Sequence, residues 1–235
     1  MQTSVQDPFQ AAWRKVRDVG VQPVEGPSAP FAPSVLFQQD RVRTLRLSRA
    51  LAQALAFQKT MGQALEKQPH QPVKAKALAQ AMRALRGWTA ARADLGEWGR
   101  AWRKWRLRNW SIDVGEARAS WLADLVRLQA WLAASDDVLE GLERMRADLE
   151  AWAAALTDAV AQEAIVDMQM QIRMSSSTLT VLRHHLSNRV QLGQSLLRNA
   201  TFLLRLREAM ENASTLEAEV AALTSWGQCE TKPGA

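Results

Sequence analysis

The 235-residue chain is 47% hydrophobic, carries a net charge of +6 and contains ten Trp, no Tyr and a single Cys. That apolar content is enough for a buried core. One cysteine, Cys229, excludes an intramolecular disulfide and a cysteine-based zinc site, and the lack of any 18-residue apolar run excludes a membrane-spanning helix. Residues 1–9 lack the basic start and apolar run of a secretory signal. The expected location is therefore cytoplasmic, with export by a dedicated machine that reads disordered N-termini as the open alternative.

Ala, Leu, Arg, Gln and Glu dominate, and alternating Val/Ile/Thr runs are missing, so the composition is that of long helices rather than sheets. The expected fold is all-α: an elongated antiparallel helical bundle of coiled-coil-like long helices. Its parts are a flexible N-terminal arm at 1–36, a bundle at 37–226 and a disordered tail at 227–235. The arm holds Pro8, Pro23, Pro27, Pro30 and Pro33, each of which removes a backbone donor and favours extended geometry in the residue before it. Phe9, Trp13, Val16, Phe31 and Phe37 are apolar anchors along it, free to dock on the body or on a partner.

The first helix is expected over 38–67, with Leu47, Leu51, Leu55, Met61 and Leu65 near one face. Pro69 and Pro72 end it and imply a tight reversal. A second helix is expected over 73–108. Its stripe runs through Leu78, Met82, Leu85, Trp88, Leu95, Trp98, Trp102 and Trp105, which predicts that these indoles are core. Residues 109–115 read as a loop, with Asp113 and Glu116 as a capping pair.

A third segment is expected over 116–164, with Ser135-Asp136-Asp137 as an internal cap and Val138, Leu142, Met145, Leu149, Trp152 and Leu156 on a heptad seam. A fourth, from 165 to 210, continues that spacing through Ile165, Met168, Ile172, Ser175, Leu179, Leu182, Leu186, Leu196 and Leu203. The spacing leaves open whether the two segments form one continuous helix.

Charge is segregated along this order. Residues 41–108 carry sixteen cationic and three anionic side chains, 109–167 four and twelve, and 168–208 six and one. If the acidic third segment folds against the basic ones, opposite charges beside the seams fix helix orientation and register.

No Gly-rich phosphate loop, nucleophile motif or paired carboxylate with histidine is present. His184 and His185 are adjacent on a helix and diverge by about 100°, too far for one metal. No enzyme activity, cofactor or metal is expected. Two surfaces are. The protein interface is expected at Leu179, Leu182, Leu186, Leu196 and Leu203, because long seams leave apolar area that a protein partner or a second copy covers. The other is a mixture of cations and indoles at Arg41, Arg43, Arg46, Arg100, Arg103, Lys104, Arg106, Arg108 and Trp110. Such a mixture can neutralise phosphates and stack bases, or lie on an anionic membrane surface.

The stretch 169–199 is rich in Gln, Ser, Asn and Leu, as in Met174-Ser175-Ser176-Ser177-Thr178-Leu179 and Ser195-Leu196-Leu197-Arg198-Asn199. It resembles the terminal helices by which rod and needle subunits of type III secretion machines polymerise, and differs from them in being followed by a further helical stretch of about 25 residues. The resemblance lends weight to self-assembly, and the long apolar seams carry the expectation of a non-enzymatic scaffold or assembly subunit of a larger complex, such as a secretion-type machine. The alternative expectation is a nucleic-acid-binding accessory protein using region 41–110.

Overall fold

A computed structural model describes residues 7–24, 34–67, 73–90 and 97–230. Among these the fold is all-α, with helices α1 (Pro8–Asp18), α2 (Ser34–Gln39), α3 (Arg41–Lys67), α4 (Val73–Ala90), α5 (Glu97–Ala155), α6 (Ala159–Asn212) and α7 (Leu216–Glu230). Their starts follow short polar side chains that satisfy otherwise orphaned backbone donors. Asp7 accepts from the Phe9 amide ahead of α1, Asp40 from Arg43 ahead of α3, Asp158 from Val160 ahead of α6 and Thr215 from Ala218 ahead of α7. The chain divides into two compact units, Met1–Gln68 with Val126–Val190 and Pro69–Leu125 with Gln191–Ala235.

The first unit is a bundle of α3, the C-terminal part of α5 and the N-terminal part of α6, with α1 and α2 docked on it. The helical hairpin closes over Leu156–Asp158, and the pair Asp136–Arg183 at 2.5 Å sets its antiparallel register. Leu51, Phe57 and Met61 of α3, Trp131, Val138, Leu142 and Leu149 of α5 and Ile165, Met168, Ile172 and Leu179 of α6 are buried apolar side chains of this unit. Trp13, Phe57 and Trp131 form an aromatic chain, with centroids 5.7 and 5.6 Å apart.

The second unit packs α4, the N-terminal part of α5, the C-terminal part of α6 and α7 around Leu78, Leu85, Leu107, Trp121, Leu203 and Trp226. Leu204 lies near Gly115 and Leu125 near Gly193, so here too α5 and α6 run antiparallel.

Several expectations need correction. Residues 8–18 of the expected flexible arm are helical and docked, because Asp7 caps the first turn, Pro8 sits where its missing donor costs nothing, and Phe9, Ala12 and Val16 are buried. Phe31 and the reversal at 68–72 lie outside the described residues. The expected helix 73–108 is two helices: a straight helix would separate Trp88 from Trp110 by about 33 Å, yet their rings stack at 5.3 Å. The expected loop at 109–115 and cap at 135–137 are both interior to α5, where the hydroxyls of Ser111 and Ser135 donate to the carbonyls of Arg108 and Leu132. The question left open for the third and fourth segments is answered by two separate helices, and their boundary lies at Leu156–Asp158 rather than near 164. Helix α7 carries helical structure on to Glu230, past the expected start of the tail.

Candidate interaction surfaces

In the first unit the basic helix α3 lies against the acidic part of α5, and the charges meet. Arg46 pairs with Asp148 at 2.7 Å, and Lys15 of α1 pairs with Asp137 at 2.7 Å. Arg43 lies over the Trp152 ring at 5.3 Å and Arg41 over Phe37 at 5.3 Å. Glu143, by hydrogen bond first and charge second, and then Glu150 hold Arg146 above the usual arginine range on the outer face of α5. Three of the cations expected to face a polyanion are thus occupied within the fold.

In the second unit the Trp/Arg-rich stretch of α5 makes a ladder. Arg103 lies over Trp88 at 5.5 Å, Trp88 stacks on Trp110, and Arg106 reaches Trp110 at 5.9 Å and Trp102 at 5.1 Å. Arg103 is only 4% exposed, its Nε and Nη2 have no acceptor, and burial lowers its pKa against the pull of Glu219. Lys104 pairs with the buried Glu219 of α7 at 2.6 Å. Arg100 lies 4.0 Å from Glu97, and Arg108 is exposed.

The indoles do not all follow the core expectation. Trp102 and Trp105 are 51% and 56% exposed, because the buried face of this stretch runs instead through Arg103, Leu107, Ser111, Val114 and Trp121. The side chain of Trp98 lies outside the described residues.

The five leucines expected to form an interface are also placed differently. Leu179, Leu186 and Leu203 are buried in the protein's own cores, while Leu182 and Leu196 are partly buried. The heptad seam that singled them out is the seam by which α6 packs on its neighbours within each unit.

A second apolar stripe, which the seam analysis passed over, lies on the other side of α6. Val166, Met170, Met174 and Val181 are each 55–66% exposed. At about 100° per residue they point about 180° away from Ile165, Met168, Ile172 and Leu179. The signal was present as a 4-4-7 spacing offset from the stronger seam: this helix is apolar on two faces, which a surface helix covered by its own bundle does not need.

The first unit also holds an open groove of about 700 Å³ with Phe9, Val42, Leu45 and Met145 along it and Arg46 and Arg49 at its edge. Among the described residues no three His, Cys, Asp or Glu side chains gather as metal ligands would, and no helix is long and apolar enough to cross a membrane. No family model matches the chain, and neither the curated proteins nor the solved structures contain a match to it.

Proposed function

We propose that this protein is a non-enzymatic helical scaffold, an assembly subunit of a larger protein complex, engaging its partners through the outward face of α6. The observation that carries this reading is the stripe Val166, Met170, Met174 and Val181, held more than half exposed on a helix whose opposite face is fully packed. Leaving four large apolar side chains in water on one side of a helix costs solubility, and exposed apolar surface of this kind marks a site of association. The ion pairs that α3 and α1 make with α5 support the same reading, since they place part of the segregated charge on internal contacts. The composition of 169–199, which resembles polymerising secretion subunits, falls on the same helix.

Nucleic-acid binding is the second reading, favoured by the exposure of Trp102 and Trp105 beside Arg106 and Arg108. It predicts affinity that falls steeply with salt.

Light scattering on concentrated protein at about 0.1 M and about 0.5 M salt, with and without a short single-stranded oligonucleotide, separates the two. An oligomer that survives both salts and ignores the oligonucleotide supports assembly. A monomer that gains mass only with the oligonucleotide, and only at low salt, contradicts it.

A further inference from the structure

We infer that the occupant of the α6 stripe is the same stripe on a second copy of this chain, laid antiparallel about a twofold axis at Met174. This deepens the assembly reading and rests on it.

The two ends of the stripe are nearly symmetric about that residue, while Met170, four residues before it, meets the exposed Thr178, four residues after it. Val166 and Val181 lie eight residues before and seven after Met174, close to equal distances along the helix, and the whole line spans about 22 Å. Reversing one copy against the other therefore sets valine near valine at both ends. At the centre it sets Met174 against Met174, where unbranched thioether side chains adapt to each other across an axis.

The polar residues at the two ends are complementary only in this arrangement. Glu163 and Asp167 are exposed at the N-terminal end of the stripe, His184 and His185 at its C-terminal end, and among the described residues none of the four is in an ion pair. An antiparallel copy brings Glu163 opposite His185 and places Asp167 within a turn of it. An imidazole offers an N–H to a carboxylate in either protonation state. A parallel copy would instead face carboxylate with carboxylate along the same rim, a repulsive pairing that selects against it. An isologous contact is also the closed, self-limiting form that identical patches adopt.

One residue opposes the pairing. Arg173 is exposed on the rim next to Met174, so two copies of it approach each other near the axis. Together with the narrowness of a one-helix contact, well below the roughly 800 Å² per partner of a stable interface, this makes the pairing weak and concentration-dependent. Arg173→Gln is expected to tighten it.

The test uses single cysteines introduced on the exposed stripe of the full chain in a Cys229→Ser background, so that folding is not at stake. Cysteines at the axis face each other, whereas those at Val181 lie about 21 Å apart in an antiparallel pair. Under mild oxidation Met174→Cys is expected to form disulfide dimers at least about ten-fold faster than Val181→Cys, because a disulfide needs Cα atoms within about 7 Å. A mixture of Glu163→Cys and His185→Cys chains is expected to cross-link while neither does alone.

Equal linking at Met174 and Val181, the mark of a parallel pair, overturns the inference. So does an absence of linking at Met174 at concentrations where light scattering shows an oligomer. The second outcome leaves assembly standing and removes only this pairing, whereas a protein that never assembles removes both.

Discussion

The ring of Phe9 rests on the backbone of Gly141: a Cβ at position 141 would stand 2.8 Å from the ring's Cζ and 3.1 Å from Cγ of Pro8. Helix α1 therefore docks on α5 at a point where only a hydrogen is tolerated. Gly141→Ala sets two effects against each other. It favours α5 by up to about 1 kcal/mol in helix propensity, while overpacking at Phe9 costs about 1–3 kcal/mol. Since Phe9 belongs to a short terminal helix, the strain is relieved by α1 lifting rather than by α5 unfolding. The melting temperature should change little, while backbone amides of 9–18 lose protection in hydrogen exchange. Unchanged protection there would show that Gly141 does not hold α1.

Trp131 is buried against Phe57 with its indole N–H lacking an acceptor. Trp131→Phe removes that unpaired donor together with some volume, and should cost less than about 2 kcal/mol. Trp131→Ala opens a cavity and should cost about 3–5 kcal/mol. Denaturant unfolding of both variants measures the difference, and equal losses would mean that the N–H is satisfied in solution.

Burial lowers the pKa of Arg103, with Glu219 opposing. A base whose folded-state pKa lies below its unfolded value costs stability at every pH below the folded value, and the cost fades only as pH rises through it. For an arginine that window lies far above neutrality, so Arg103 contributes a constant cost with no slope from about pH 5 to about pH 9. Arg103→Met, which keeps the apolar stem over Trp88, should be neutral or stabilising by up to about 3 kcal/mol across that whole range. Glu219→Gln should destabilise, because it leaves Lys104 and Arg103 without a carboxylate. Thermal melts at three pH values check both, and a pH-dependent effect of Arg103→Met would contradict the assignment.

Trp102 and Trp105 carry little of the fold. Truncating either to Ala should change stability by no more than about 1 kcal/mol, whereas Trp88→Ala takes the middle out of the Arg103–Trp88–Trp110 ladder and should cost several times that. Acrylamide quenching should fall when Trp102 or Trp105 is removed and rise in relative terms when Trp131 is removed, since the exposed indoles then dominate the emission.

Long helices and their buried seams were legible in the sequence. The positions Val138, Leu142, Met145, Leu149 and Trp152 are one continuous buried line, because heptad spacing and a packed helix face obey the same geometry. Boundaries were not. Ser135-Asp136-Asp137 looks like a cap and lies inside α5, while Thr157-Asp158 begins α6 without a Gly or Pro nearby. A capping side chain is used only where tertiary packing makes the chain turn. The indoles at Trp102 and Trp105 misled for a related reason: aromatic residues at helical spacing signal a face, but which face is buried was set by Arg103, Leu107 and Val114, and a cation in that line is read as surface. The outward stripe on α6 was hidden by the stronger seam behind it.

The most direct measurement is sedimentation velocity over a concentration series of the full chain beside Met170→Asp with Met174→Asp. Both substitutions fall on exposed side chains and should leave the circular dichroism spectrum unchanged. The account predicts that the unsubstituted protein sediments faster as concentration rises, and that the double variant remains a monomer throughout. Concentration-dependent association that is identical in the two proteins would contradict the assignment of assembly to the outward face of α6.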